Sequence, residues 1–344
     1  MLYSRVCLHS FGYELPPHIV TSDDLEQRLE PVYQRLKLPG GRLELMSGIK
    51  ERRLWDRNTR PSEAATLAGQ KALDASGVDP AEIECLIFTS VSRDMMEPAT
   101  ASFVHHGLGL SEKCQVFDLS NACLGFLNGM IMLANMIELG QVKTGLLVAG
   151  ETAEDLLEST IRHMLDDSSL TRKSIKSTFA SLTIGSGSVA LVMGDANQHE
   201  SGHRLVGGAC RANTAHSNLC QGEKTGPGGT IMATDSVELL KRGIETAHLT
   251  WHDFSDELGW SAEDVDHFFC HQVGRAHAQL LFQTLDLDPA KNFETLEVLG
   301  NVGSVSAPVT MAMGVEEGIL TSGQQAAMLG IGSGINCLML GIKW

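Results

Sequence analysis

A repeat offset by about half the chain restricts the fold more than any composition figure does. Gly77, Ile83, Leu86 and Ile87 line up with Gly259, Val265, Phe268 and Phe269, a shift of 259 − 77 = 182. The same shift carries GLLVAG at 145–150 onto AMLGIG at 327–332. It also lays the apolar helix that follows Cys123 over Val305–Glu316. Apolar strands resemble one another, so each match alone is weak. A common offset over two strands and the helix between them points to an internal duplication.

The local patterns agree with two α/β halves. Ile83–Ser90 and Thr144–Gly150 are near-continuous apolar runs, the mark of strands buried on both faces. Strands are also expected at Tyr3–Phe11, Gln115–Asp118, Thr183–Met193 and Arg204–Ala209. Thr21-Ser22-Asp23-Asp24 caps a helix expected to reach about Lys37. Further helices are expected from Pro61 to Gly77, over Thr100–Gly107, over Leu124–Leu139 and over Thr234–Trp251. Strand alternating with helix gives an α/β class. The polar stretch Asp195–Gly202 divides the chain into 1–195 and 203–344. A mixed segment, about 153–180, reads as an insertion that forms a lid or an acyl channel, and Gln221–Thr230 reads as a flexible Gly/Pro loop.

Charge and cysteine usage exclude some classes. The formal net charge of −16 argues against a nucleic-acid surface. The best candidate for a local basic patch, Arg52-Arg53 with Arg57 and Arg60, is either a solvated loop or a grip on an anionic tail such as the phosphates of coenzyme A. None of the eight cysteines is paired in a C-x-x-C motif, so neither a zinc knuckle nor a dithiol redox site is indicated. Reduced thiols in apolar runs fit a cytoplasmic protein. The first residues lack the pattern of a signal peptide, and no apolar run approaches the ~18 residues of a membrane span.

The chemistry gathers around one thiol. Asp118 through Phe126 reads as a strand end, an elbow and a helix start, with Cys123 where the helix begins. A helix N-terminus favours anions, so this cysteine is expected to lean toward thiolate. In the second half, His271 closes a strand, Asn301 sits in a Gly300–Ser304 elbow, and Gly332–Gly334 follows another strand. Each alone is an ordinary core histidine, turn asparagine or tight turn. Glu97 lies in a polar loop at the carboxyl end of a strand, where α/β proteins collect ligands.

Together these stretches carry a resemblance that spans the chain. Asn121-Ala122-Cys123, His271-Gln272, Gly300-Asn301 with Ser306-Ala307-Pro308, and Gly332–Gly334 resemble the thiolase superfamily, in its β-ketoacyl synthase III branch. Arg53-Leu54-Trp55-Asp56, Ser90–Asp94 with Glu97-Pro98, and Gly330–Cys337 resemble more narrowly the members that condense two fatty acyl-CoAs for long-chain olefin biosynthesis. The resemblance implies a five-layered αβαβα fold. It implies acylation of Cys123 and an oxyanion hole made by the N–H groups of Cys123 and Ser333, beside Gly332 and Gly334. His271 and Asn301 would hold the enolate oxygen of the second substrate. Glu97 would be the general base, reaching across a homodimer. Fatty acyl-CoAs are then substrates, no cofactor is needed, and the product passes to downstream olefin-pathway enzymes.

The source of the carbanion separates the alternatives. Loss of CO2 from a malonyl thioester needs no base, whereas two plain acyl-CoAs need an α-proton removed. Glu97 favours the second. Members using malonyl carrier protein have an Arg and a Trp where this chain has Met46 and Arg42. A decarboxylating synthase, an acyltransferase or thioesterase on the same scaffold, and a non-catalytic acyl-binding subunit remain the other readings.

Overall fold

The computed structural model describes residues 1–198, 202–224 and 229–344. The chain opens with β1 (Val6–Glu14), β2 (His18–Thr21), α1 (Ser22–Arg28), α2 (Glu30–Leu36), α3 (Arg42–Ser47) and β3 (Glu51–Leu54). Then come α4 (Pro61–Ser76), β4 (Cys85–Phe88), α5 (Thr100–Gly107), β5 (Gln115–Asp118), α6 (Gly125–Glu138) and β6 (Thr144–Glu151). The helices α7 (Glu154–Asp166) and α8 (Lys176–Phe179) precede β7 (Gly187–Asp195). The second half holds β8 (Arg204–Ala212), β9 (Cys220–Lys224), β10 (Thr230–Thr234), α9 (Ser236–Leu258), β11 (His267–Cys270) and α10 (Arg275–Leu285). It ends with α11 (Leu296–Leu299), α12 (Ser306–Glu316), β12 (Gln325–Gly332) and β13 (Asn336–Lys343).

Nine strands run in the order β11-β12-β13-β8-β1-β7-β6-β4-β5, but β8 meets β1 at a single register pair, Cys7 with Arg204, so β11-β12-β13-β8 and β1-β7-β6-β4-β5 form two sheet layers on either side of α6 and α12. Side-chain alternation along the strands explains the layers. On β6, Leu146 and Val148 point into a core with Ala65, Ala68 and Ala72 of α4 and Val104 of α5. Leu147 and Ala149 point the other way, onto Phe126 and Leu133 of α6. On β12, Ala326 and Met328 join that same central core, which also holds Val309 and Met311 of α12. Ala327 and Leu329 face Ile244 and Phe254 of α9 and Phe282 of α10. A strand buried on both faces must be apolar at every position, which is how these runs read. The result is five layers, helix–sheet–helix–sheet–helix, with α6 and α12 in the middle.

The halves repeat a unit. Each has a parallel pair, β4 with β6 and β11 with β12. The helix preceding each pair, α4 or α9, ends on a left-handed glycine, Gly77 or Gly259. Cys85 faces Gly145 in one ladder and His267 faces Ala326 in the other. The offsets are therefore 267 − 85 = 182 on the first strand and 326 − 145 = 181 on the second. The expected overlay of GLLVAG on AMLGIG is one residue out of step, because single-residue slips between apolar strands leave the pattern unchanged.

Other expectations shift. The helix expected from the Thr21 cap breaks at Leu29, where Pro31 occupies the first turn of α2. The loop expected at Gln221–Thr230 is instead the hairpin arm of β9 and β10, joined by five register pairs, with 225–228 outside the described residues. Of the expected divide at Asp195–Gly202, residues 199–201 lie outside the described residues. The segment 153–180 folds over α1 and α2, with Leu157, Ile161 and Met164 of α7 packed on Leu25 and Leu29. No helix among the described residues is long and apolar enough to cross a membrane.

Candidate active site

β5 ends at Asp118, whose carboxylate accepts from the N–H groups of Thr100 (2.9 Å) and Ala101 (2.8 Å) and so caps α5. The chain then turns through Ala122, held at φ 45°. A non-glycine residue in the left-handed region marks a constrained turn. Helix α6 starts at Gly125 for a steric reason: a Cβ there would lie 2.1 Å from the Thr89 carbonyl oxygen. The missing side chain lets the helix start press against the end of β4, and this fixes where Cys123 projects.

The Cys123 thiol is enclosed, although the residue keeps some surface. Burial pushes it up to about 12, with further upward pushes from Cys220 and Glu151. The N–H groups of Ser333 and of Cys123 itself pull it back down. The expected lean toward thiolate is therefore corrected. The helix begins two residues later, and burial beside an acidic group outweighs its partial charge. The two amides that act on the sulfur are the pair the sequence proposed for an oxyanion hole.

The turn between β12 and β13 brings Ser333 to the elbow. A Cβ on Gly332 would lie 2.9 Å from Leu124 Cγ, so only glycine allows this approach. Asn336 Nδ2 donates to the Ser333 carbonyl (3.3 Å) and more weakly to Asn121 Oδ1 (3.5 Å). Asn121 in turn donates to Asn128 Oδ1 at 2.7 Å. One short chain of amides thus ties the Gly332–Gly334 turn to the Cys123 elbow.

His271 follows β11, and its N–H donates to the Leu329 carbonyl (2.8 Å) on β12, one strand from the same turn. Both ring nitrogens are hidden from solvent and neither has a partner among the described residues. Burial, helped by His277, lowers its pKa to about 4, so the ring is neutral at pH 7. Asn301 is buried, and its backbone is clamped between the Thr183 carbonyl and the Gly185 N–H. Its Oδ1 accepts from the Gly303 N–H at 3.0 Å, which assigns the amide orientation.

Glu97 stands elsewhere on the chain surface. The loop after β4 is pinned at Val91 and Ser92, whose N–H groups donate to Glu151. It is pinned again at Asp94, which accepts from the N–H and hydroxyl of Ser62 and caps α4. Met95 through Pro98 form an exposed tip, with Met96 96% exposed.

Arg52 is not available to a substrate. It is fully buried, donates to the Val20 carbonyl (3.2 Å) and Ser22 Oγ (3.1 Å), and burial lowers it to about 10. The reading of Arg52 as a phosphate grip is corrected: the side chain holds β3 to α1. Arg53 is half-buried and donates to the Pro16 carbonyl. The cations that share a hollow are Arg42, Arg172, Lys173 and Lys176, around a cavity of about 330 Å³ floored by Leu38 and Ile175. The Arg42 Nε there is buried and has no partner among the described residues. At the opposite, C-terminal end of α3, Gly48 packs against Arg275, four residues after His271.

Two residues of the site escaped sequence reasoning. Asn336 gave no signal beyond its place beside a Gly-rich turn. Glu151 had one: it is a charged residue closing an apolar strand at the end where ligands gather. It is 5% exposed and bonded to three residues.

The chain matches the model of 3-oxoacyl-[acyl-carrier-protein] synthase III over residues 117–213 and of its C-terminal part over 255–344. It is 43% identical to the acyl-CoA:acyl-CoA alkyltransferase of Shewanella oneidensis, over 100% of both chains. Its identity to the protein of that name in Xanthomonas campestris is 38%, again over 100% of both. A crystal structure of a Cys-to-Ser variant of Xanthomonas campestris OleA with bound lauric acid and lauroyl-CoA superposes with a TM-score of 0.95, at 38% identity and 100% coverage of both chains.

Proposed function

The chain belongs to the acyl-CoA:acyl-CoA alkyltransferases, within the 3-oxoacyl-[acyl-carrier-protein] synthase III family, and we propose the following course for its reaction. It is a thiolase-fold condensing enzyme that joins two fatty acyl-CoAs without decarboxylation. Cys123 Sγ attacks the first thioester; the carbon–sulfur bond to coenzyme A breaks, and the Sγ proton ends on the departing thiol. The N–H groups of Cys123 and Ser333 hold the oxyanion of the tetrahedral intermediate. The second acyl-CoA then loses an α-proton to Glu97, while the His271 ring N–H and the Asn301 NH2 stabilise its enolate oxygen. The carbanion attacks the acyl group on Cys123, the Cys–acyl bond breaks, and the proton taken up by Glu97 passes to Sγ, which restores both groups. Water hydrolyses the β-ketoacyl thioester to a β-keto acid and free coenzyme A.

The observation that carries this reading is the buried, neutral imidazole of His271 with no partner among the described residues. A buried polar ring left unpaired costs roughly 1–3 kcal/mol, so it is kept for a ligand. A neutral ring can donate to an enolate oxygen without adding a charge. The exposed, doubly pinned Glu97 tip suits a base lent to a second subunit, so the working form is a homodimer. The basic hollow at Arg42 suits the phosphates of coenzyme A better than Arg52 or Arg53 does. The reaction needs no cofactor, takes place in the cytoplasm, and feeds olefin-pathway enzymes.

A single fatty acyl-CoA, with no malonyl thioester, should give free thiol and a β-keto product. With Glu97→Gln, acylation of Cys123 should persist and condensation should drop at least 100-fold, the lower end of what general-base catalysis contributes. Turnover that appears only on adding a malonyl thioester would sink the reading.

A further inference from the structure

A second carboxylate lies inside the site, unused by the steps above. Glu151 is the last residue of β6 and is buried. Its Oε1 accepts from the Val91 N–H (2.9 Å), Ser304 Oγ (3.0 Å) and, at longer range, the Ser304 N–H (3.4 Å). Its Oε2 accepts from the Ser92 N–H at 3.0 Å. Gly303 passes so close that a Cβ there would lie 3.1 Å from Oε1. Every donor is neutral, and no cation pairs with it among the described residues.

The two elements it joins are the two that condensation needs. Val91 and Ser92 begin the loop whose tip is Glu97. Gly303 and Ser304 close the elbow of Asn301, and the Gly303 N–H is the donor that orients the Asn301 amide. A buried charge without a counterion is costly to keep, and a neutral side chain of equal size would fill the space. What the carboxylate supplies is acceptor capacity on both oxygens: Oε1 bridges Val91 to Ser304 while Oε2 takes the Ser92 N–H, and an amide would put an NH2, which can only donate, against one of these donors.

We propose that Glu151 is a positioning residue that fixes two parts at once, the Asn301 elbow of its own site and the root of the Glu97 loop lent to the partner subunit's site, and so decides whether the acyl enzyme condenses or is simply hydrolysed. Hydrolysis of the acyl group on Cys123 needs the oxyanion hole but neither of those two elements. Loss of their placement therefore diverts acyl groups to free fatty acid. The inference rests on the proposed Claisen reading.

The test compares wild type, Glu151→Gln, Glu151→Asp and Ser304→Ala on one fatty acyl-CoA. Three quantities are read: the acyl adduct on Cys123 by mass spectrometry, the ratio of condensed product to free fatty acid, and the thermal midpoint. Glu151→Gln should form the adduct at least as fast as wild type, with the ratio lowered about tenfold or more. Ser304→Ala should lower it several-fold, and Glu151→Asp should recover part of it. Ratios unchanged in both Glu151→Gln and Ser304→Ala overturn the proposal. So does a parallel loss of acylation and condensation in both. Should Glu151→Gln not fold, Ser304→Ala decides alone. Wild type that makes no condensed product from one acyl-CoA overturns the Claisen reading and this inference with it. Wild type that condenses, with unshifted variants, overturns only the role of Glu151.

Discussion

The resting thiol gives the sharpest quantitative prediction. Burial lifts Cys123 from 9.0 to about 12, a difference of about three units. At pH 7 the thiolate fraction is then about 10⁻⁵, against about 10⁻² for an unperturbed thiol, roughly a thousandfold less. Part of this returns, because a more basic thiolate is a better nucleophile. A Brønsted slope of about 0.4–0.5 over three units restores roughly 16- to 32-fold. Alkylation of Cys123 in the free enzyme should therefore run about 30- to 60-fold slower than that of a simple thiol peptide at pH 7. The pH dependence is cleaner than the absolute rate. The logarithm of the rate should climb with unit slope from about pH 6 to about pH 10 without a plateau, since the thiol stays protonated throughout. The assay is limiting iodoacetamide, with the Cys123 peptide quantified by mass spectrometry. Glu151→Gln should raise the rate, because Glu151 is one of the groups that pushes the thiol up. A plateau beginning below about pH 8 would refute the reasoning: the N–H groups around the sulfur would then outweigh burial.

Two further outcomes are expected. Arg42→Ala combined with Arg172→Ala should raise KM for acyl-CoA about tenfold while leaving KM for a short acyl thioester lacking the nucleotide unchanged; steady-state kinetics on both substrates checks it. His271 is held neutral with its pKa lowered from 6.5 to about 4, so between those values the unfolded chain takes up a proton that the fold refuses. Stability should fall as pH drops through that window, by up to about 3 kcal/mol at about 1.4 per unit, and denaturant titrations of His271→Asn should show a flatter acid limb.

The halves of the molecule were legible in unequal degree. The Cys123 elbow could be read because a strand end, a small-residue turn and an apolar helix occur in sequence, each with its own local signal. His271, Asn301 and Ser333 became legible only as a set, since each alone matches ordinary turn or core chemistry. The overlay of the repeat slipped by one residue on β12 because apolar strands carry no register mark. Arg52 was misread because its neighbours Arg53, Arg57 and Arg60 made a local cluster, whereas burial depends on β3 lying against α1. The basic hollow drew Arg42 and Arg172 from segments 130 positions apart, which no local pattern reveals. The break between α1 and α2 was in the sequence at Pro31; the strong cap at Thr21 hid it.

Asp94 and Asp118 each cap a helix while gripping one end of the Glu97 loop. The loop is thereby ordered by bonds that the helices need in any case, and a second subunit does not have to order it. In the proposed homodimer, docking of two such surfaces is then a rigid-body event. Its calorimetric signature should be a negative heat-capacity change set by the interface area alone, without the larger change that accompanies a segment folding as it binds. Asp94→Ala should shift the signature toward coupled folding, with slower association and weaker dimers.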